Sequence, residues 1–228
     1  MRSNFTYTPG DDLSHLDLSW LTISNVDLSA ADLSGSDFSN TFFHNVDMSK
    51  VKADQATFNS AEFVGCTFDQ ADLTGSSFAR AKARSTSFAN AVAHGANFMI
   101  TELRDTDLSK ANFTRANLAL ADLLRSNLTG AIFDYATLSC ANLSDATISG
   151  ASFYDAGLYN ASWAASSDSP PFGWSIQRGV PGRRLVIDNN FIASCDLDPD
   201  LVTTLLAEHP GLTPAKLIAL CASIGRPV

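Results

Sequence analysis

From Leu13 to Trp163 every fifth residue is a centre of the same kind. Of these thirty-one positions, twenty-eight are Leu, Phe, Ile, Met or Trp, and the exceptions are Ala53, Ala83 and Ala93. The position two residues before each centre is small in most repeats, being Ala in seventeen of them. The residue between the two is polar or variable, and the two that follow the centre are rich in Ser, Asp, Asn, Thr and Gly. Two inward positions in five match neither the helical period of 3.6 nor alternation along a long strand. They fit a coil in which each pentapeptide is one short side with a turn at every corner, the bulky centre pointing inward and the small residue packing near the corner. A fixed internal period of this kind predicts a stacked solenoid, in which each unit buries its apolar side against its neighbours.

The pattern is clearest in Ala111-Asn112-Phe113, Ala116-Asn117-Leu118, Ala121-Asp122-Leu123 and Ala141-Asn142-Leu143, and it recurs as Ala31-Asp32-Leu33 and Ala71-Asp72-Leu73. With these residues the chain resembles the pentapeptide-repeat proteins over about two thirds of its length. The resemblance implies an all-β solenoid, a right-handed quadrilateral β-helix with four pentapeptides to a coil, so that residues twenty apart stack. Thirty-one repeats then give nearly eight coils. The sequence supports that stacking on its own terms, since Phe38, Phe58, Phe78 and Phe98 fall in one column and Phe113, Phe133 and Phe153 in another.

Three segments follow from this reading. Residues 1–10 form a lead-in over the first coil, residues 11–165 the β-helix, and residues 166–228 a linker with a C-terminal appendage. In that appendage Arg184 to Asp188 reads as a short strand. Asp198-Pro199 and Thr213-Pro214 read as helix N-caps followed by Pro at the first helical position. The appendage is expected either to cap the last coil, whose edge would otherwise pair with another chain, or to make a homodimer contact.

Charge narrows the function. A formal net charge of −9 and a pI near 4.7 argue against direct binding to nucleic acid or to an anionic membrane. No long apolar run or signal-peptide pattern is seen, so the expected location is the cytoplasm. The four cysteines are far apart and predict reduced thiols rather than a disulfide or zinc framework. The scattered histidines and the serines after the centres have no partner arrangement for catalysis. A non-enzymatic protein with no cofactor or metal is therefore expected.

Two surfaces stand out. Asp12, Asp17, Asp27, Asp32, Asp37 and Asp47 precede their centres, and four-fold stacking pairs them vertically. The family resemblance implies a DNA mimic that binds DNA gyrase, a type II topoisomerase, and gives drug or toxin resistance, although Asp is equally the turn residue of such repeats. Farther along lie nine of the fifteen basic residues, from Lys50 to Arg125. There Arg80, Arg84, Arg104 and Arg125 accompany outward Met99, Ile100, Leu120 and Leu124. Apolar groups rimmed by arginine predict a protein-contact site. An interaction scaffold presenting rigid faces to a protein partner is the first reading, and the gyrase mimic the alternative.

Overall fold

The computed structural model describes residues 7–163, the strands Trp174–Ile176 and Leu185–Ile187, and Val202, Thr204, Thr213 and Lys216. The pentapeptides wind into a four-sided solenoid. Every bridge between coils joins residues twenty apart and is parallel, from Asp12 with Asp32 to Asn142 with Ser162. Three coils have continuous strands, β1 (Thr22–Asp27), β2 (Phe42–Asp47) and β3 (Glu62–Val64), which form a parallel sheet in the order β1-β2-β3.

The backbone explains the five-residue period. Each three-residue segment is extended, and its middle residue faces outward while the small residue and the centre face inward. At the outward residue the amide donates back one coil, as Asp32 N–H does to Asp11 O at 2.9 Å, and at the centre it donates forward, as Leu33 N–H does to Lys52 O at 2.6 Å. Most corners are closed by a bond from the next small residue to the centre, for example Ala31 N–H to Leu28 O at 3.0 Å. The second corner residue has positive φ at every fifth position from Gly10 to Asn160, in twenty-four non-glycine residues and seven glycines. Turns of this shape need that conformation at their third residue. The corner thus decides where most glycines of the repeat fall.

The interior is filled by the centres. Phe38, Phe58, Phe78 and Phe98 stack with centroids 5.2, 4.7 and 4.7 Å apart. Phe113, Phe133 and Phe153 do the same at 5.3 and 5.1 Å. Inward hydroxyls are satisfied across coils, Thr41 donating to Leu18 O and Thr101 to Phe78 O, both at 2.7 Å. The first coil is less enclosed, with Leu13 and Leu18 only partly buried and Leu16 exposed.

Beyond the repeat, β5 (Leu185–Ile187) lies within the strand expected from Arg184 to Asp188. It pairs antiparallel with β4 (Trp174–Ile176), which the sequence pattern does not announce. Val202, Thr204 and Lys216 are helical, consistent with the two expected helices, whose other residues lie outside the described ones. The lead-in, apart from residues 7–10, lies outside them too. Thr213 behaves as the predicted N-cap, its Oγ1 accepting from Lys216 N–H at 3.2 Å. That hydroxyl also donates to Asp155 on the penultimate corner of the rod, and Val202 is buried in the core cluster.

Candidate interaction surfaces

The four faces carry centres Leu13, Leu18, Ile23 and Leu28 and their successors at twenty-residue steps. The acidic residues occupy three of these faces. Asp12 bridges Asp32 and Asp17 bridges Asp37, while Asp27 lies opposite Asp47 in the sheet. The vertical pairing expected from the sequence is therefore present. Each of these carboxylates also accepts from the amide two residues on, as Asp37 does from Ser39 N–H at 2.8 Å and Asp47 from Ser49 N–H at 2.8 Å. Asp12 and Asp17 accept the Ser14 and Ser19 hydroxyls as well, both at 2.7 Å. These serine bonds are the leading reason why Asp12, Asp17, Asp27 and Asp32 are held below the ordinary carboxylate range. Hydrogen bonding to the charged form offsets the repulsion between stacked carboxylates.

The basic and apolar residues separate onto the two corners of the third face. On one corner Arg80, Ile100 and Leu120 follow one another up the rod, with Met99 adjacent. On the other stand Arg84, Arg104, Leu124 and Arg125. Between them runs the outward column Glu62, Lys82, Glu102 and Asp122. The arginines of the second corner are engaged within the rod. Arg84 Nη2 lies 2.6 Å from Glu102 Oε2, and Arg104 pairs with Asp122. Arg125 binds Asp105 through two bonds of 2.7 Å, which lowers the Asp105 carboxyl below its usual range. Lys82 reaches Glu62 at 3.2 Å. This is the self-neutralising ladder that the charge column suggests. The expected contact set is thus divided, and Arg84, Arg104 and Arg125 serve the rod before any partner.

Arg80, Ile100 and Leu120 differ. Among the described residues Arg80 has no ion-pair partner, and Ile100 and Leu120 are 39% and 55% exposed. Both adopt φ of 61°. For a side-chain-bearing residue that conformation costs about 1–2 kcal/mol, and a β-branched one is an outlier there. The period placed these side chains outward, but it did not reveal the strain. The signal for it was available, because Asn25, Asn40, Asn45, Asn90 and Asn160 and the positive-φ glycines occupy the same corner position. Beside this corner the second face carries no charge, since Ser77, Asn97 and Asn117 form an amide and hydroxyl column, Asn117 donating to Asn97 at 3.3 Å. Tyr135 and Tyr154 border it on the other side, edge to face at 5.5 Å, with Arg115 over the Tyr135 ring.

The family model for pentapeptide repeats matches the chain in overlapping stretches, residues 12–49, 43–78, 61–99, 96–134 and 126–162. The chain belongs to the pentapeptide-repeat family. Proteins of this family are generally non-catalytic and structural. Among solved structures, full-length QnrB1, a plasmid-mediated fluoroquinolone resistance protein, is 19% identical with a TM-score of 0.50, covering 87% of this chain and 99% of its own. HetL, involved in heterocyst differentiation regulation in the cyanobacterium Nostoc sp. strain PCC 7120, is 23% identical, covering 68% and 84%, with a TM-score of 0.28. A pentapeptide-repeat protein from the Arabidopsis thaliana thylakoid lumen is 21% identical, covering 65% and 88%, with a TM-score of 0.40. At these identities the likeness to QnrB1 concerns the pentapeptide-repeat fold alone. Curated protein sequences give no match. Among the described residues no His, Cys, Asp and Glu group could hold a metal, and no helix is long and apolar enough to cross a membrane.

Proposed function

We propose that this pentapeptide-repeat protein is a non-enzymatic scaffold that binds a protein partner in the cytoplasm through the corner carrying Ile100 and Leu120. One observation carries the reading: two exposed apolar side chains stack at positions whose backbone conformation favours Gly or Asn. The turn needs the left-handed conformation but not a branched apolar side chain on it, and strain added in that way is a reason to look for a contact. The neutral second face beside it suits the centre of an interface, where charged residues are scarce, and Arg80, Tyr135 and Tyr154 suit its border. The same reading takes the segment from residue 166 onward as a cap on the last coil, supported by buried Val202 and by the Thr213 to Asp155 bond.

The test is the double variant Ile100→Asn, Leu120→Asn. Asparagine is at ease in the left-handed region, so the rod is expected to melt no earlier than the wild type while losing its partner in a paired pull-down. Unchanged recovery of the partner removes this corner as the site.

The second reading is a DNA-mimic modulator of gyrase, favoured by the vertical carboxylate pairs of Asp12, Asp17, Asp27, Asp32, Asp37 and Asp47 and by the fold shared with QnrB1. The ion-paired belt above them breaks the anionic run, which ranks it second. In a supercoiling assay with and without a quinolone, absence of both inhibition and protection at micromolar protein dismisses it.

A further inference from the structure

The hydrogen-bond ladder breaks at one point. From Gly10 to Cys140, each positive-φ corner amide outside the paired strands donates to a carbonyl nineteen residues on, with the single exception of Gly65, which does not bond Arg84 O. The turn there is open as well, since Cys66 N–H does not close onto Phe63 O. The inward side repeats the fault. Ser36, Thr41, Thr101, Thr106 and Ser126 each donate to the carbonyl twenty-three residues earlier, but Thr86, whose counterpart would be Phe63, has a fully buried hydroxyl with no partner. At this place a groove of about 590 Å³ opens on the third face, lined among others by Glu62, Val64, Gly65, Lys82, Arg84 and Glu102.

A gap of this composition has a definite chemistry. Gly65 N–H and Arg84 C=O are a donor and an acceptor left over from one rung, and both residues are exposed, so the two groups are open to an incoming partner. A peptide unit offers the complementary acceptor and donor. Around them, Lys82 and Glu62 form one ion pair and Arg84 and Glu102 the other, so the rim is neutral but strongly dipolar. Arg84 and Lys82 retain N–H donors beyond their ion pairs with Glu102 and Glu62, and the second Glu62 oxygen is an acceptor. Val64, 42% exposed, adds an apolar floor. A Cβ at position 65 would sit 2.6 Å from Asn45 Oδ1, so the Asn45 side chain would have to swing aside to admit one.

We infer that this break is a docking notch for an extended segment of a protein partner, one whose main chain completes the Gly65 to Arg84 rung and which carries a carboxylate and a cationic side chain side by side. The inference rests on the reading of the rod as a protein-binding scaffold, but it concerns a separate place on it.

The experiment uses the full chain and amide-resolved NMR. The Gly65 amide is expected to exchange with solvent at least about tenfold faster than Gly75, whose rung to His94 O is intact. The blocked tripeptide Glu-Gly-Lys at millimolar concentration is expected to shift the Gly65 and Ser85 amides saturably, and blocked Ala-Gly-Ala to leave them in place. The exposed double variant Glu62→Gln, Arg84→Gln is expected to abolish that shift while Gly75 and the remaining amides keep their positions. Protection of Gly65 equal to that of Gly75 overturns the inference, as does an equal response, or none, to the two peptides. If the peptides fail while the Ile100→Asn, Leu120→Asn variant still loses its partner, the notch falls and the scaffold reading stands. If Glu-Gly-Lys alone shifts Gly65 while that variant keeps its partner, the notch stands and the Ile100 corner falls.

Discussion

The early coils and the later ones share one interior and differ in how their corners are made. Around Asp17 and Asp37 the corner pairs are Ser19 with Trp20 and Ser39 with Asn40, and each Asp holds its serine amide. Around Asn97 and Asn117 the same positions carry Met99 with Ile100 and Ala119 with Leu120. The asparagine oxygens still bond the corner amides, at 3.2 and 3.1 Å, and apolar residues hold the left-handed position in two successive coils, where the early corner has Trp20 followed by Asn40. A solenoid tolerates both because its neighbour contacts run through the centres. The early corner carries that strain at Trp20 and drops it one coil on at Asn40, whereas the later corner carries it in two coils running, at Ile100 and Leu120.

The largest test concerns what the two regions share. Phe58→Ala in the earlier part and Phe113→Ala in the later part should each cost about 3–5 kcal/mol in chemical denaturation, since both rings are fully buried in stacks. A cost below about 1 kcal/mol in either would mean that the interiors are not equivalent. Next comes the corner itself. Ile100→Asn should raise stability by about 1 kcal/mol and Asn40→Ile should lower it by a similar amount, because both residues have φ near 60°. Equal effects of the same sign would contradict the strain argument.

Acid should separate the regions further. Asp12, Asp17, Asp27 and Asp32 have folded-state values below the ordinary one, with serine bonds as the leading cause. Their contribution is fully present above the unfolded value near pH 4 and is lost as pH falls through the lowered folded values. Amide exchange of Ser14, Ser19 and Ser29 should thus accelerate, relative to Ala119 on its Asn117 bond, only below about pH 4. Loss of protection already at pH 5 would show that the carboxylates are not held. The smallest effect belongs to the exposed ladder of the later coils. Arg104→Gln should cost less than about 1 kcal/mol, and molar salt should erase most of the difference from wild type.

Much of this was readable residue by residue. The place of Phe78 beneath Phe98, the pairing of Asp17 with Asp37 and the Thr213 cap follow from spacing, because inward positions and cap residues are local demands. The fate of Arg84, Arg104 and Arg125 was not readable. Long side chains choose between acids one coil above and one below, and these three find Glu102, Asp122 and Asp105. Nor was β4 readable, since three residues beside a Pro-rich stretch become a strand only by meeting β5.

By itself the sequence determined a four-sided rod, its inward residues and its outward columns, because a five-residue period fixes side-chain direction whatever the neighbours are. Only the tertiary structure decided that Gly65 and Arg84 fail to meet and that Thr86 is left without a partner. The repeat at Phe63 to Cys66 obeys the same pattern as its neighbours. Whether a rung closes depends on how two successive coils sit against each other, and residues twenty apart settle that together.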